Sequence, residues 1–241
     1  MNIIESAGLG KRYRRTWALR DCTLEIPAGH VVALVGPNGA GKTTLLNMAV
    51  GLAVPTTGVV TVLGGTPAGS PDALDRIAFV AQDAPLYKNL PVADMLHVAR
   101  NLNRRWDHQR AQARLAELGI PLNKKVGHLS GGQKAQLALT VALARRPDLL
   151  VLDEPLAALD PLARYDFIES VMETVAAEGV SVVLSSHVVA ELERMADYLI
   201  VLSFGQVQVA GEVDDLVAEH GASLEKIVLA AMRESGREVA A

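Results

Sequence analysis

The segment Gly36-Pro37-Asn38-Gly39-Ala40-Gly41-Lys42-Thr43-Thr44 constrains this chain more than any other. It lies between an apolar stretch, His30 to Val35, and a run with Leu45, Leu46, Ala49 and Val50 on one helical face. Gly36, Gly41, Lys42 and Thr43 complete the pattern G-x-x-x-x-G-K-[ST], placed after a strand and at the opening of a helix, as its mechanism requires. The glycines let the backbone wrap closely, so that successive N–H groups point at phosphate oxygens, and the helix N-terminus adds partial positive charge there. Lys42 is then placed to reach the β- and γ-phosphates, and the Thr43 hydroxyl to ligate magnesium. A Gly-rich turn that binds nothing is the alternative, and the strand–loop–helix setting disfavours it.

Such a loop belongs to an α/β fold with a parallel sheet, and the remaining pattern agrees. Ile77 to Ala81, Leu149 to Leu152 and Val180 to Ser185 read as further strands, alternating with helical patterns at Ser130 to Arg146, Arg164 to Glu178 and Val188 to Met195. Gly51 stops the first helix. A β-branched stretch from Gly58 to Leu63, with the Leu24 to Ile26 region, predicts a small antiparallel sheet. From Pro91 to Gly119 the pattern is helical, with Met95, Leu96, Ala99 and Leu102 on one face, and a basic, Gln-rich stretch follows from Arg104 to Arg114. This predicts an inserted all-helical subdomain over about residues 88–146. Tyr198 to Leu202 and Gln206 to Ala210 read as a hairpin, and Leu224, Ile227, Val228 and Ala231 form one more helical stripe. Residues 1–235 are expected to form a single domain and 236–241 a frayed tail.

Half of the 241 residues are hydrophobic, which suits a parallel sheet covered on both faces. No run of about 18 apolar residues is present, so no spanning helix is expected. Cys22 is the only cysteine, which rules out an intrachain disulfide and a thiolate cluster and makes it a core hydrophobe by expectation. The formal charge of -4, without a long basic run, gives no electrostatic footprint for nucleic acid, which is not expected as a partner.

A magnesium site needs a carboxylate, and Leu149-Leu150-Val151-Leu152-Asp153-Glu154 places two at the end of an apolar strand, the Walker B arrangement. Desolvated carboxylates are costly unless paired or coordinated, which assigns Asp153 to the metal and Glu154 to an attacking water. In phosphoryl transfer, orienting and polarising that water is sufficient, with proton transfer coming late.

Leu129-Ser130-Gly131-Gly132-Gln133 contains an S-x-x-Q capping box that starts a helix. The cap alone accounts for Ser130 and Gln133 but gives no reason for Gly131 and Gly132, each of which costs backbone entropy. With the phosphate loop and Walker B, this pentapeptide resembles the signature of the ABC ATPase family, and the likeness runs in the family's order along nearly the whole chain. The resemblance implies that Gln82 is the Q-loop glutamine, also at the metal. It makes His187 the switch histidine, Asp160 in Ala157-Ala158-Leu159-Asp160 the D-loop aspartate, and Tyr13 the aromatic that stacks on adenine, with Trp17 as the competing ring. The family's D-loop begins with serine where this chain has Ala157, which removes that hydroxyl.

The resemblance further implies an enzyme that hydrolyses ATP with Mg2+. Two such domains would pack head to tail, each ATP lying between the phosphate loop of one and the signature of the other. The second copy could be this chain or another ABC ATPase. A separate transmembrane permease subunit would hold the pair, peripheral on the cytoplasmic face of the cell membrane, and Pro85, Leu86, Tyr87 and Leu90 are the expected coupling surface, the alternative being a loop packed on its own helices. Only 54 residues follow His187, which favours an exporter subunit over importers with an added regulatory domain, and only 46 separate Gln82 from Leu129, too few for an inserted coiled coil. The alternative is a soluble single-domain ABC ATPase with a role such as metal-cluster assembly.

Overall fold

The computed structural model describes residues 1–83 and 85–240. In chain order the elements are β1 (Asn2–Tyr13), β2 (Thr16–Pro27), β3 (Val31–Val35), α1 (Lys42–Ala49), β4 (Thr57–Val62), β5 (Thr66–Pro67), α2 (Pro71–Arg76) and β6 (Ile77–Val80). Then follow α3 (Val92–Leu102), α4 (His108–Glu117), α5 (Gly131–Leu143), β7 (Leu149–Asp153), α6 (Pro161–Glu178) and β8 (Ser181–Ser186). The chain closes with β9 (Tyr198–Ser203), β10 (Gln206–Glu212), α7 (Val213–His220) and α8 (Leu224–Ala240). These elements form two compact units, residues 1–74 with the segment from 181 onward, and residues 75–180.

In the first unit β3 lies between β8 and β9 as a parallel strand, with β10 antiparallel on β9. Every residue of β3 is buried, as its unbroken apolar run requires. Leu45, Leu46, Met48, Ala49 and Val50 of the α1 segment are buried, the leucine, methionine and valine side chains each contributing about 1.5–3 kcal/mol when fully covered. The β9–β10 turn places Phe204 and Gly205 at φ 48° and 74°, the paired positive angles that tight hairpins favour. Leu224, Ile227, Val228 and Ala231 are all buried along α8. Ala241, the last residue of the tail expected for 236–241, lies outside the described residues.

The same unit carries an antiparallel sheet in the order β2-β1-β4-β5. The Leu24–Ile26 and Gly58–Leu63 regions therefore do not pair with each other, because β1 lies between them. Register shifts between Ser6 and Leu9 and between Leu9 and Lys11 break the alternation of β1, which hides it from a period-two reading. The helix expected over 188–195 is also absent. Only Val189–Glu191 forms a single 3-10 turn, entered from an extended Val188 at φ -113°, where two consecutive β-branched residues disfavour an α-helical start.

In the second unit β6 and β7 pair in parallel, from Ile77 with Leu149 to Val80 with Leu152. The helical stretch expected from 91 to 119 divides into α3 and α4, broken at residues 103–107 where Asp107 caps α4. Val92, Met95, Leu96, Leu115, Val126 and Leu137 form one core under α3, α4 and α5. Leu102 does not join it and is 75% exposed, because the helix ends there. On α6, Pro161 occupies the first turn, Phe167 and Val171 are buried, and Gly179 closes the helix at φ 65°. No helix among the described residues is long and apolar enough to cross a membrane.

Candidate active site

Within the first unit the phosphate loop leaves β3 and enters α1, whose N-terminus no side chain caps. The two glycines of the pattern have separate causes. A Cβ on Gly36 would stand 2.1 Å from the Leu202 carbonyl oxygen of β9, so the loop can leave the sheet only through glycine. Gly41 has φ 106°, and a Cβ there would meet the Ala18 carbonyl oxygen at 2.5 Å. Lys42 is only 6% exposed, and its ammonium donates to the Gly36 carbonyl at 2.8 Å and the Pro37 carbonyl at 3.5 Å. Pro37, Asn38, Gly39 and Thr43 are exposed, Ala40 is buried and Thr44 is half-buried.

His187 belongs to this edge. Val35 pairs with Ser186 in the β3–β8 register, so Gly36 and His187 follow adjacent parallel strands at their carboxyl ends. The Ser186 hydroxyl accepts from the Val188 N–H at 3.0 Å and frames the exposed histidine. Tyr13 ends β1 opposite Thr16, on a hairpin whose return strand brings Ala18 against Gly41. Its ring is 49% exposed, with the Lys11 ammonium 5.2 Å from its centroid. Trp17 is half-buried between the guanidinium groups of Arg12 and Arg20, at 5.6 and 5.8 Å. Of the two aromatic residues, Tyr13 is the more exposed.

Within the second unit the β6–β7 register gathers another set. Val80 pairs with Leu152, so Gln82, Asp153 and Glu154 all follow the same end of this strand pair. Asp153 is 2% and Glu154 8% exposed, while Gln82 is exposed in a turn. No group of three or more His, Cys, Asp or Glu side chains able to hold a metal ion occurs among the described residues. One buried aspartate suits magnesium, which takes one or two carboxylates together with substrate oxygens and waters.

The capping box at the start of α5 is complete. The Gln133 N–H donates to Ser130 Oγ at 3.1 Å, and the Ser130 N–H donates to Gln133 Oε1 at 3.2 Å. Asp160 caps α6 in turn, accepting from the Ala163 N–H at 3.0 Å. An open groove of about 520 Å3 runs between these helices, lined by Ser130, Gln133, Gln136, Asp160, Ala163 and Ser170 among others. Gln136 bridges across it, accepting from Arg114 Nη2 at 3.0 Å and donating to Ser170 Oγ at 3.4 Å. Burial holds the Arg114 guanidinium below its ordinary pKa, and neighbouring Arg110 adds to that effect. This network is invisible in the sequence, since Arg114, Gln136 and Ser170 share no motif. Gly132 also has a packing cause that the capping pattern does not reveal: a Cβ there would lie 2.8 Å from the Ala163 Cβ. Gly131 has no such cause, since its added Cβ would make an ordinary 3.6 Å contact with the Ala158 carbonyl.

Comparison with known proteins places the chain in a family. The ABC transporter family model matches residues 19–157. Nod factor export ATP-binding protein I of Cupriavidus pinatubonensis (strain JMP 134 / LMG 1197) is 34% identical over 221 residues, 89% of this chain and 68% of that protein. The aliphatic sulfonates import ATP-binding protein SsuB of Escherichia coli (strain K12) is 38% identical over 210 residues, 86% of this chain and 79% of that one. Among solved structures, the dimeric post-hydrolysis state of the ATP-binding cassette MJ0796 bound to ADP and Pi has a TM-score of 0.77 and 26% identity. That likeness covers 87% of this chain and 98% of the cassette. The fold, the motif order and these relatives together show that the chain belongs to the ABC transporter family as one of its ATP-binding, ATP-hydrolysing subunits.

Proposed function

We propose that this subunit binds Mg-ATP through Gly36–Thr44, hydrolyses it with Glu154 orienting the water, and drives export through a separate transmembrane permease. Lys42 contacts the β- and γ-phosphates, Thr43, Gln82 and Asp153 hold the metal, and His187 approaches the γ-phosphate. Magnesium, when bound, neutralises charge developing on the phosphate oxygens. Tyr13 stacks on the adenine. A second ABC ATPase subunit, this chain again or another, offers Ser130, Gly131, Gly132, Gln133 and Asp160 to the opposite nucleotide. ATP closes the pair and hydrolysis releases it, a population shift governed by contacts made only with the γ-phosphate present.

The observation that supports this most is register. Each unit delivers its motif residues to the carboxyl ends of adjacent parallel strands, Gly36 with His187 and Gln82 with Asp153 and Glu154. In open α/β sheets that is where ligands bind.

The permease surface is the segment after Gln82. Pro85 and Tyr87 are exposed, Tyr87 at 58%, whereas Leu86 packs onto the helical core. Pro85 and Leu86 also line a groove of about 190 Å3 with Met95 and Arg145. Docking there makes the subunit peripheral on the cytoplasmic face of the membrane. The Nod factor relative supports export, and the sulfonate relative supports import.

Pull-down of the tagged chain from detergent-solubilised membranes of its own host, with mass spectrometry of stoichiometric partners, tests this reading. A polytopic membrane protein is the expected companion, and its kinship with exporters or importers decides direction. Soluble partners alone, with the chain absent from membranes, would replace the reading by a soluble ABC ATPase such as one serving metal-cluster assembly.

A further inference from the structure

We infer that Ala163 is a positioning residue that gauges the signature helix against the D-loop, so that Ser130 and Asp160 present themselves to the opposite nucleotide as one body. The inference rests on the proposed nucleotide reading and names a contact that sets its geometry.

Ala163 acts in two directions. Its backbone N–H donates to the Asp160 carboxylate at 3.0 Å, fixing the D-loop aspartate as the cap of α6. Its methyl group faces Gly132, where an added Cβ would stand 2.8 Å away, closer than carbon atoms can approach without a shift. The aspartate is held further by Arg164, whose Nε donates to the Leu159 carbonyl at 2.9 Å and whose N–H donates to the Asp160 carbonyl at 3.0 Å. Deeper along the same helix pair, Gln136 on α5 donates to Ser170 on α6. A steric stop at the helix N-termini and a hydrogen bond further in leave α5 little freedom to slide on α6. A shift of Ser130 therefore carries Asp160 with it.

Gly132 and Gly131 differ on this account. Gly132 is small because Ala163 abuts it. Gly131 meets only an ordinary contact within the chain, so its smallness serves the approach of an external ligand.

A size swap separates these causes. The variants are Gly132→Ala, Ala163→Gly, the double G132A/A163G, and Gly131→Ala with and without Ala163→Gly. Each is read for ATP hydrolysis, for nucleotide affinity of the isolated monomer with a fluorescent ATP analogue, and for Tm. Gly132→Ala is expected to lower hydrolysis by about tenfold or more through overpacking, with monomer affinity unchanged. The double variant is expected to regain the rate of Ala163→Gly alone, while Gly131→Ala gains nothing from the same partner change. A double variant as slow as Gly132→Ala, or a Gly132→Ala protein as fast as the wild type, would overturn the inference. A Tm loss shared by Gly132→Ala and the double, without recovery of rate, would count against it equally. Hydrolysis by the unmodified chain, measured alongside, tests the nucleotide reading separately from the swap.

Discussion

Asp153 and Glu154 are adjacent in the chain but lie on either side of a sharp change in backbone direction. Asp153 closes β7 at 2% exposure, and Glu154 follows at φ 47° and 8% exposure. The left-handed conformation costs a non-glycine residue roughly 1–2 kcal/mol, and it breaks the extended backbone of β7 directly after Asp153. Glu154→Gly and Glu154→Ala both remove the carboxylate, but only glycine relaxes the backbone. Urea denaturation should find the glycine variant more stable than the alanine variant by about 1 kcal/mol. Equal stabilities would contradict a strained turn.

The Lys42 ammonium ties the phosphate loop together by donating to the Gly36 carbonyl, and in the proposed function it also contacts the phosphates. Lys42→Ala should weaken ATP binding by about 1.5–3 kcal/mol, roughly 10- to 150-fold, as a charge-assisted contact is lost. Titration calorimetry checks this, and wild-type affinity would count against the phosphate-site assignment.

Tyr13 and Trp17 offer different faces. Tyr13→Ala should lower affinity for ATP while Tyr13→Trp keeps it, because stacking needs an aromatic plane; Trp17→Ala should act mainly on stability, through lost packing against Gly10 and the two arginines. A larger ATP-affinity loss in Trp17→Ala than in Tyr13→Ala would reverse the assignment.

Cys22 is 1% exposed, and its thiol donates to the Gly205 carbonyl at 3.3 Å. Burial pushes its pKa up, so at neutral pH the folded chain holds less thiolate than a free cysteine would. A thiol reagent at neutral pH should leave the native protein unmodified and label one site in denaturant. Rapid labelling of the native form would show that the hairpin carrying Cys22 opens readily.

Much of this was legible because the decisive signals are local. The apolar runs of β3, β7 and β8 need only composition and length, and the Ser130–Gln133 box needs only a spacing of three. β1 was missed because its bulges move the buried side chains out of alternation. The 188–195 segment has helical spacing, but it starts with an extended Val188 before Val189, and only a single 3-10 turn forms. The Gly132–Ala163 contact joins two helices far apart in sequence, and no periodicity encodes how near they come. The positive φ of Glu154 is also a property of the folded turn, since glutamate has no preference for it.

In the proposed mechanism Glu154 positions the attacking water while other residues bind the nucleotide. Glu154→Gln keeps the shape but replaces one acceptor oxygen with an amide donor and removes the charge. Phosphate release and light-scattering mass should be measured on this variant with and without Mg-ATP. The expected result is ATP affinity like that of the wild type, hydrolysis reduced by about 100-fold or more, and a doubled mass only with ATP present. Hydrolysis at the wild-type rate would contradict the account directly.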